Sequence, residues 1–188
     1  LRQIIRERDQ ILQSRTAAKN QLHAENAGAY PHKSSVKRTQ KLIAFLDKQE
    51  QEINQEIKEL VQNDPEIKKT LKVLCTIPGI GLLTASTVLA ETNGFDLIRN
   101  KRQLVSYAGL DVREKISGTS VKGKPRISKK GNRYLRKAMH FPALAAIRHD
   151  ERYKAIFARL VARTGIKMEG AVAVQRTLLE MIYVIFKS

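Results

Sequence analysis

The chain has 188 residues, with 35 Lys or Arg against 18 Asp or Glu, a formal net charge of +17, a pI near 10.2 and one cysteine. That length suffices for one or two buried cores, and charge of that sign favours a polyanion, most simply nucleic acid. No run of about 18 apolar residues exists, which excludes a helical membrane span, and Cys75 alone excludes an internal disulfide and fits a reducing compartment.

Residues 1–65 read as a helical coiled-coil hairpin. Leu1, Ile4/Ile5, Ile11/Leu12, Ala18 and Leu22 form one stripe, interrupted by Arg8 and Arg15. Leu42, Leu46, Gln49, Ile53, Ile57 and Leu60 step by four and three in a second. Between them, the turn-forming stretch "NAGAYPHKSS" (Asn26–Ser35) predicts the hairpin bend. A seam this narrow buries little by itself, so a homodimer through a second copy is expected. "NDP" (Asn63–Pro65) ends the arm, and Pro65 suits the first turn of a new helix.

Residues 66–188 read as a compact helical domain. "LKVLCTIPGIGLLTASTVLAETNG" (Leu71–Gly94) predicts helix, tight turn, helix, with Cys75 as a small buried hydrophobe. This is similar to a helix-hairpin-helix motif, whose Gly79 and Gly81 would bring backbone N–H groups to a nucleic-acid phosphate. An ordinary glycine-rich corner is the competing reading, since the turn carries no Lys or Arg. Lys101–Val112 predicts a helix stopped by Gly109. Asp111–Ile127 alternates apolar and polar residues around Gly118 and Gly123, which predicts a loop with a short β-hairpin. From Ser128, read as an N-cap, a helix with a buried stripe of Leu135, Met139, Leu144 and Ile147 bends near Pro142. Two amphipathic helices follow around Gly165, with Met168 and Met181 as packing residues. His23, His32, His140 and His149 have no metal-ligand spacing, and no metal is assigned to them.

The charge is uneven. Residues 1–70 carry 13 basic and 10 acidic side chains, net +3, whereas residues 71–188 carry 22 and 8, net +14. Lys122 to Lys137 holds eight Lys or Arg and no acid, just after an isolated Ser117-Gly118 pair. On residue type alone that pair is a turn.

Three stretches, "IPGIGLLTASTVLAE", "LVSYAGLDVRE" and "ISGTSVKGKPRISKKGNRYLRKA", occur in this order. Together they resemble the C-terminal transposase domain of the Piv-like insertion-sequence transposases, the DEDD recombinases. The resemblance is strong over about Leu71–Ala146, and the preceding arm looks like the coiled coil joining that family's two domains. It implies a bacterial, nucleoid-associated site-specific DNA recombinase. An N-terminal RuvC-like domain would hold Mg²⁺ on four acidic residues, and a structured RNA would serve as a second partner. The serine that attacks DNA phosphate maps to Ser117 and its glycine to Gly118.

A serine hydroxyl is a weak nucleophile that needs a base or metal, and neighbouring cations offset charge in the transition state. Arg113, Lys115, Lys122, Lys124 and Arg126 surround Ser117 in sequence. Lys129 and Lys130 follow, and Arg133, Arg136 and Lys137 lie on the next helix, where they would hold the strand or a guide RNA. The four metal-binding carboxylates do not map onto this chain. Residues 71–188 hold only Glu91, Asp96, Asp111, Glu114, Asp150, Glu151, Glu169 and Glu180, in no two-metal pattern. The chain is therefore expected to be the arm and serine half of a recombinase, inactive alone. No cofactor is expected in it and Mg²⁺ is expected in the missing domain. The alternative is a non-catalytic helix-hairpin-helix module that grips DNA or RNA through phosphates.

Overall fold

The computed structural model describes residues 1–117 and 121–188, leaving outside the description the side chains of residues 114–117 and 121–125. The fold is mostly α, with nine helices and one two-stranded antiparallel sheet among the described residues. The chain divides into two compact units, Leu1–Pro65 and Glu66–Ser188.

The first unit is a pair of long helices, α1 (Arg2–Ala27) and α2 (Lys33–Asn63). Their partners run in opposite sequence directions, so the pair is antiparallel. Arg8 donates to Asn54 Oδ1 at 2.6 Å and to Glu50 Oε1 at 2.9 Å, Arg15 to Asp47 Oδ1 at 2.8 Å and also to Glu50, and Ser35 to Glu25 at 3.1 Å. Arg8 and Arg15, which interrupt the apolar stripe of α1, are thus the ionic rungs of the pair. The hydrogen bond to Asp47, with help from Glu50, raises the Arg15 guanidinium above its usual range.

The buried face of α2 is Thr39, Leu46, Ile53, Ile57 and Val61. It shares Leu46, Ile53 and Ile57 with the expected seam, but Leu42 and Leu60 stay 48% and 38% exposed. At about 100° per residue, Leu42 and Leu60 fall at one angle on α2, at the edge of the stripe that runs through Thr39, Leu46, Ile53, Ile57 and Val61.

The second unit opens with α3 (Pro65–Leu74) and α4 (Leu82–Thr92), joined by the turn that contains Gly79 and Gly81. Next come α5 (Lys101–Ala108), strands β1 (Val112–Ser117) and β2 (Val121–Ile127), and α6 (Arg133–Ala138). α7 (His140–His149), α8 (Glu151–Thr164) and α9 (Lys167–Lys187) complete it. α9 is the central element, burying Ala171, Val174, Leu178, Leu179 and Ile182 against α5, α7 and α8. Gly170 lets α8 approach, since a Cβ there would lie 2.8 Å from the Phe157 ring. Phe95 is fully buried against Tyr183 and Phe186.

Four local expectations are corrected. Cys75 is exposed, because Leu71, Leu74 and Ile77 take the inward positions of that turn. The helix expected from Ser128 starts at Arg133, and its cap is Asn132, whose Oδ1 accepts from the N–H groups of Tyr134 and Leu135. The helix breaks at Met139, before Pro142. Its inward stripe is Leu135, Met139, Pro142, Ala143 and Ala146, with Leu144 42% exposed. Met168 is exposed, in the first turn of α9.

Candidate functional site

The basic segment folds as the hairpin β1–β2 between α5 and α6. The register pairs Val112 with Ile127, Arg113 with Arg126, Lys115 with Gly123, Ile116 with Lys122 and Ser117 with Val121, with an irregularity between Arg113 and Lys115. Ser117 is therefore the last residue of β1, opposite the first residue of β2. Gly118 lies outside the described residues, and Lys115, Lys122 and Lys124 are placed by their strand positions alone. Arg113 and Arg126 face each other across the ladder and are both exposed. Like charges directly opposite in a sheet oppose folding, whereas a bridging phosphate would satisfy both guanidinium groups.

The foot of the hairpin is tightly built. Gly109 ends α5 in the left-handed region at φ +67°. The Ser128 N–H donates to the Asp111 carbonyl at 2.8 Å, and the Ser128 hydroxyl to Asp111 Oδ1 at 2.6 Å. Lys129 holds a left-handed backbone, φ +54°, with its N–H donated to the Gly109 carbonyl at 3.1 Å. A non-glycine residue in that region costs on the order of 1 kcal/mol, and the contact with Gly109 holds it there. Gly131 crosses Tyr107 so closely that a Cβ would lie 2.1 Å from the Tyr107 carbonyl oxygen.

Six of the expected nucleic-acid contacts are exposed on or beside this foot: Arg113, Arg126, Lys129, Lys130, Arg133 and Lys137. Arg133 stacks over the Tyr134 ring at 5.0 Å. Arg136 instead turns inward, donating from Nη1 to the carbonyls of Ala108 at 2.7 Å and Gly131 at 3.1 Å. Gly79, at φ +83°, packs toward α7, where a Cβ would lie 2.5 Å from the Pro142 carbonyl oxygen. That close approach is sufficient reason for a glycine there. Gly81 differs: it caps the N-terminus of α4 with open space around its missing Cβ.

Sequence reasoning missed Glu91. It is 1% exposed, and its Oε2 accepts from Asn132 Nδ2 at 2.7 Å. The available signal was one acid in the apolar run of α4. Among the described residues, no group of three or more His, Cys, Asp or Glu could hold a metal ion, so the Mg²⁺ implied by the resemblance has no fitting donor set here. No described helix is long and apolar enough to cross a membrane.

Comparison with known proteins bears on this hairpin directly. The pilin gene-inverting protein of Moraxella bovis is 27% identical over 137 residues, covering 72% of this chain and 42% of its own length. That of Moraxella lacunata matches to the same extent. An uncharacterized 43.6 kDa protein of insertion element IS110 from Streptomyces coelicolor is 29% identical over 115 residues, 61% of this chain and 28% of its own. The chain thus spans less than half the length of these relatives. The model of the transposase family IS116/IS110/IS902 matches residues 71–158, from the end of α3 through the hairpin and into α8. Over residues 71–158 the chain is similar to the transposase domain of the IS116/IS110/IS902 family.

Proposed function

We propose that this chain is the DNA-holding, serine-bearing part of a transposase or site-specific recombinase, with Ser117 as its nucleophile. The observation that carries the reading is the position of Ser117. It ends β1 on a hairpin whose foot presents an opposed Arg113–Arg126 pair, within the matched family segment. In the reaction, the Ser117 hydroxyl oxygen attacks a DNA phosphorus and bonds to it. The bond from phosphorus to one ester oxygen breaks, a DNA hydroxyl leaves, and the serine proton passes to a base. The cations of the foot hold the strand and offset charge on the phosphoryl oxygens.

Mg²⁺ belongs, on this reading, to a metal-binding half outside this chain. A structured RNA would be held by the same cations that hold DNA. The arm would join two copies through Leu42 and Phe45, 48% and 56% exposed on α2.

The test is covalent capture. With the metal-binding half present, denaturing gels of labelled DNA should show protein-linked strands, and peptide mass analysis should place the link on Ser117. Ser117→Ala should abolish linkage with DNA affinity nearly unchanged, while Ser120→Ala stays active. Linked strands that persist in Ser117→Ala would return the serine to a turn residue. The 188-residue chain alone should link no DNA.

A further inference from the structure

We infer that Glu91 and Asn132 are positioning residues that set the foot of the serine-bearing hairpin; the inference rests on the reading of Ser117 as nucleophile. Asn132 reaches three elements at once. Its Oδ1 caps α6. Its main-chain N–H donates to the Tyr107 carbonyl, in the last turn of α5, at 2.6 Å. Its Nδ2 donates to the buried Glu91 carboxylate of α4 at 2.7 Å. Tyr107 closes the ring, since its hydroxyl donates to the Glu91 main-chain carbonyl at 3.0 Å.

Both ends of the hairpin therefore refer to one point. β1 begins five residues after Tyr107, and β2 ends five residues before Asn132. A buried carboxylate is costly unless hydrogen-bonded, and an apolar side chain at position 91 would pack without it. What the carboxylate adds is direction: it fixes the Asn132 amide, so the same side chain that starts α6 also sets where α6 meets α5. Nucleophiles tolerate little drift, because a misplacement of about 1 Å costs on the order of 100-fold in rate.

The test exchanges donor and acceptor. Asn132→Asp keeps an acceptor for the α6 cap but sets a second carboxylate against Glu91. In the transposase assembled with its metal-binding half, linkage of DNA to Ser117 should slow at least about 10-fold at pH 8, with duplex affinity within about twofold. The deficit should shrink as pH falls, because two facing carboxylates come to share a proton. Combining Glu91→Gln with Asn132→Asp lets the new amide donate to the new carboxylate, and linkage should recover to within about threefold of the parent.

In the 188-residue chain, amide hydrogen exchange along Val112–Ser117 and Val121–Ile127 should quicken in Asn132→Asp and slow again in the double variant. A wild-type linkage rate in Asn132→Asp, or a double variant no better than the single, overturns the proposal. So does a loss of linkage matched by an equal loss of DNA affinity, which would assign the pair to bulk stability. Ser117→Ala runs in parallel. Linked strands there would overturn the serine reading alone, since the exchange measurement still decides whether Glu91 and Asn132 set the hairpin.

Discussion

Arg113 and Arg126 show how one pair of side chains separates binding from folding. Two guanidinium groups opposed across a ladder oppose hairpin formation by a few tenths of a kcal/mol. Arg126→Glu turns that repulsion into attraction and removes the phosphate contact proposed for this residue. Denaturant unfolding of the DNA-free chain should show a gain of about 0.5 kcal/mol. Anisotropy titration with a labelled duplex should show affinity falling by about 10-fold or more. A variant that loses stability and affinity together would mean that these arginines serve the fold and not a ligand. Lys129 combines a left-handed backbone with an exposed side chain beside the other cations of the candidate site.

Among the elements, the arm gives the clearest division of labour. Leu46 and Ile53 belong to the face of α2 that is buried in the hairpin pair, whereas Leu42 and Phe45 are half exposed. Glu at Leu46 and Ile53 should melt the pair, because a charge buried there costs several kcal/mol. Circular dichroism would record the lost helix. Glu at Leu42 and Phe45 should keep the helix and convert a dimer to monomer by light scattering. A wild-type chain that is monomeric at tens of micromolar concentrations removes the role proposed for that face. The existence of both arm helices was legible, because Leu46, Ile53 and Ile57 recur at helical spacing. Their full face was not, since Thr39 and Leu42 lie about 60° apart around the helix, and which of them turns inward depends on how α1 packs against α2. The end of α5 at Gly109 and the hairpin were equally readable, from a glycine stop and from alternation. Ser128 misled for a tertiary reason: it and Asn132 are both competent caps, and Asp111, 17 positions away in sequence, claims the Ser128 hydroxyl. Arg136 looked like one more strand-holding cation until its carbonyl partners on Ala108 and Gly131 were seen, and nothing local marks Glu91 as the partner of a residue 41 positions on.

For the molecule as a whole, the relevant quantity is charge that a nucleic acid can reach. The formal charge is +17, and among the described residues six cations of the candidate site are exposed: Arg113, Arg126, Lys129, Lys130, Arg133 and Lys137. If each neutralises one phosphate, log affinity against log salt should fall with a slope of about −5. Lys129→Ala with Lys130→Ala should flatten it by about 2. Arg136→Ala should leave the slope alone and lower the melting temperature, because its hydrogen bonds go to main-chain carbonyls. A slope near zero in the parent chain would mean that the positive surface is only solvated.

The foot of the hairpin closes through residues on either side of it, from Gly109 and Asp111 to Ser128 and Lys129. Chain added beyond such a closure is thermodynamically inexpensive, since doubling a loop adds only about 0.6 kcal/mol of closure entropy. The segment that carries the serine is therefore free to lengthen, shorten or change composition while the helical core stays as it is. A lineage of such domains could diversify the DNA it engages by editing this one insert, and its core residues would record ancestry while the insert records use.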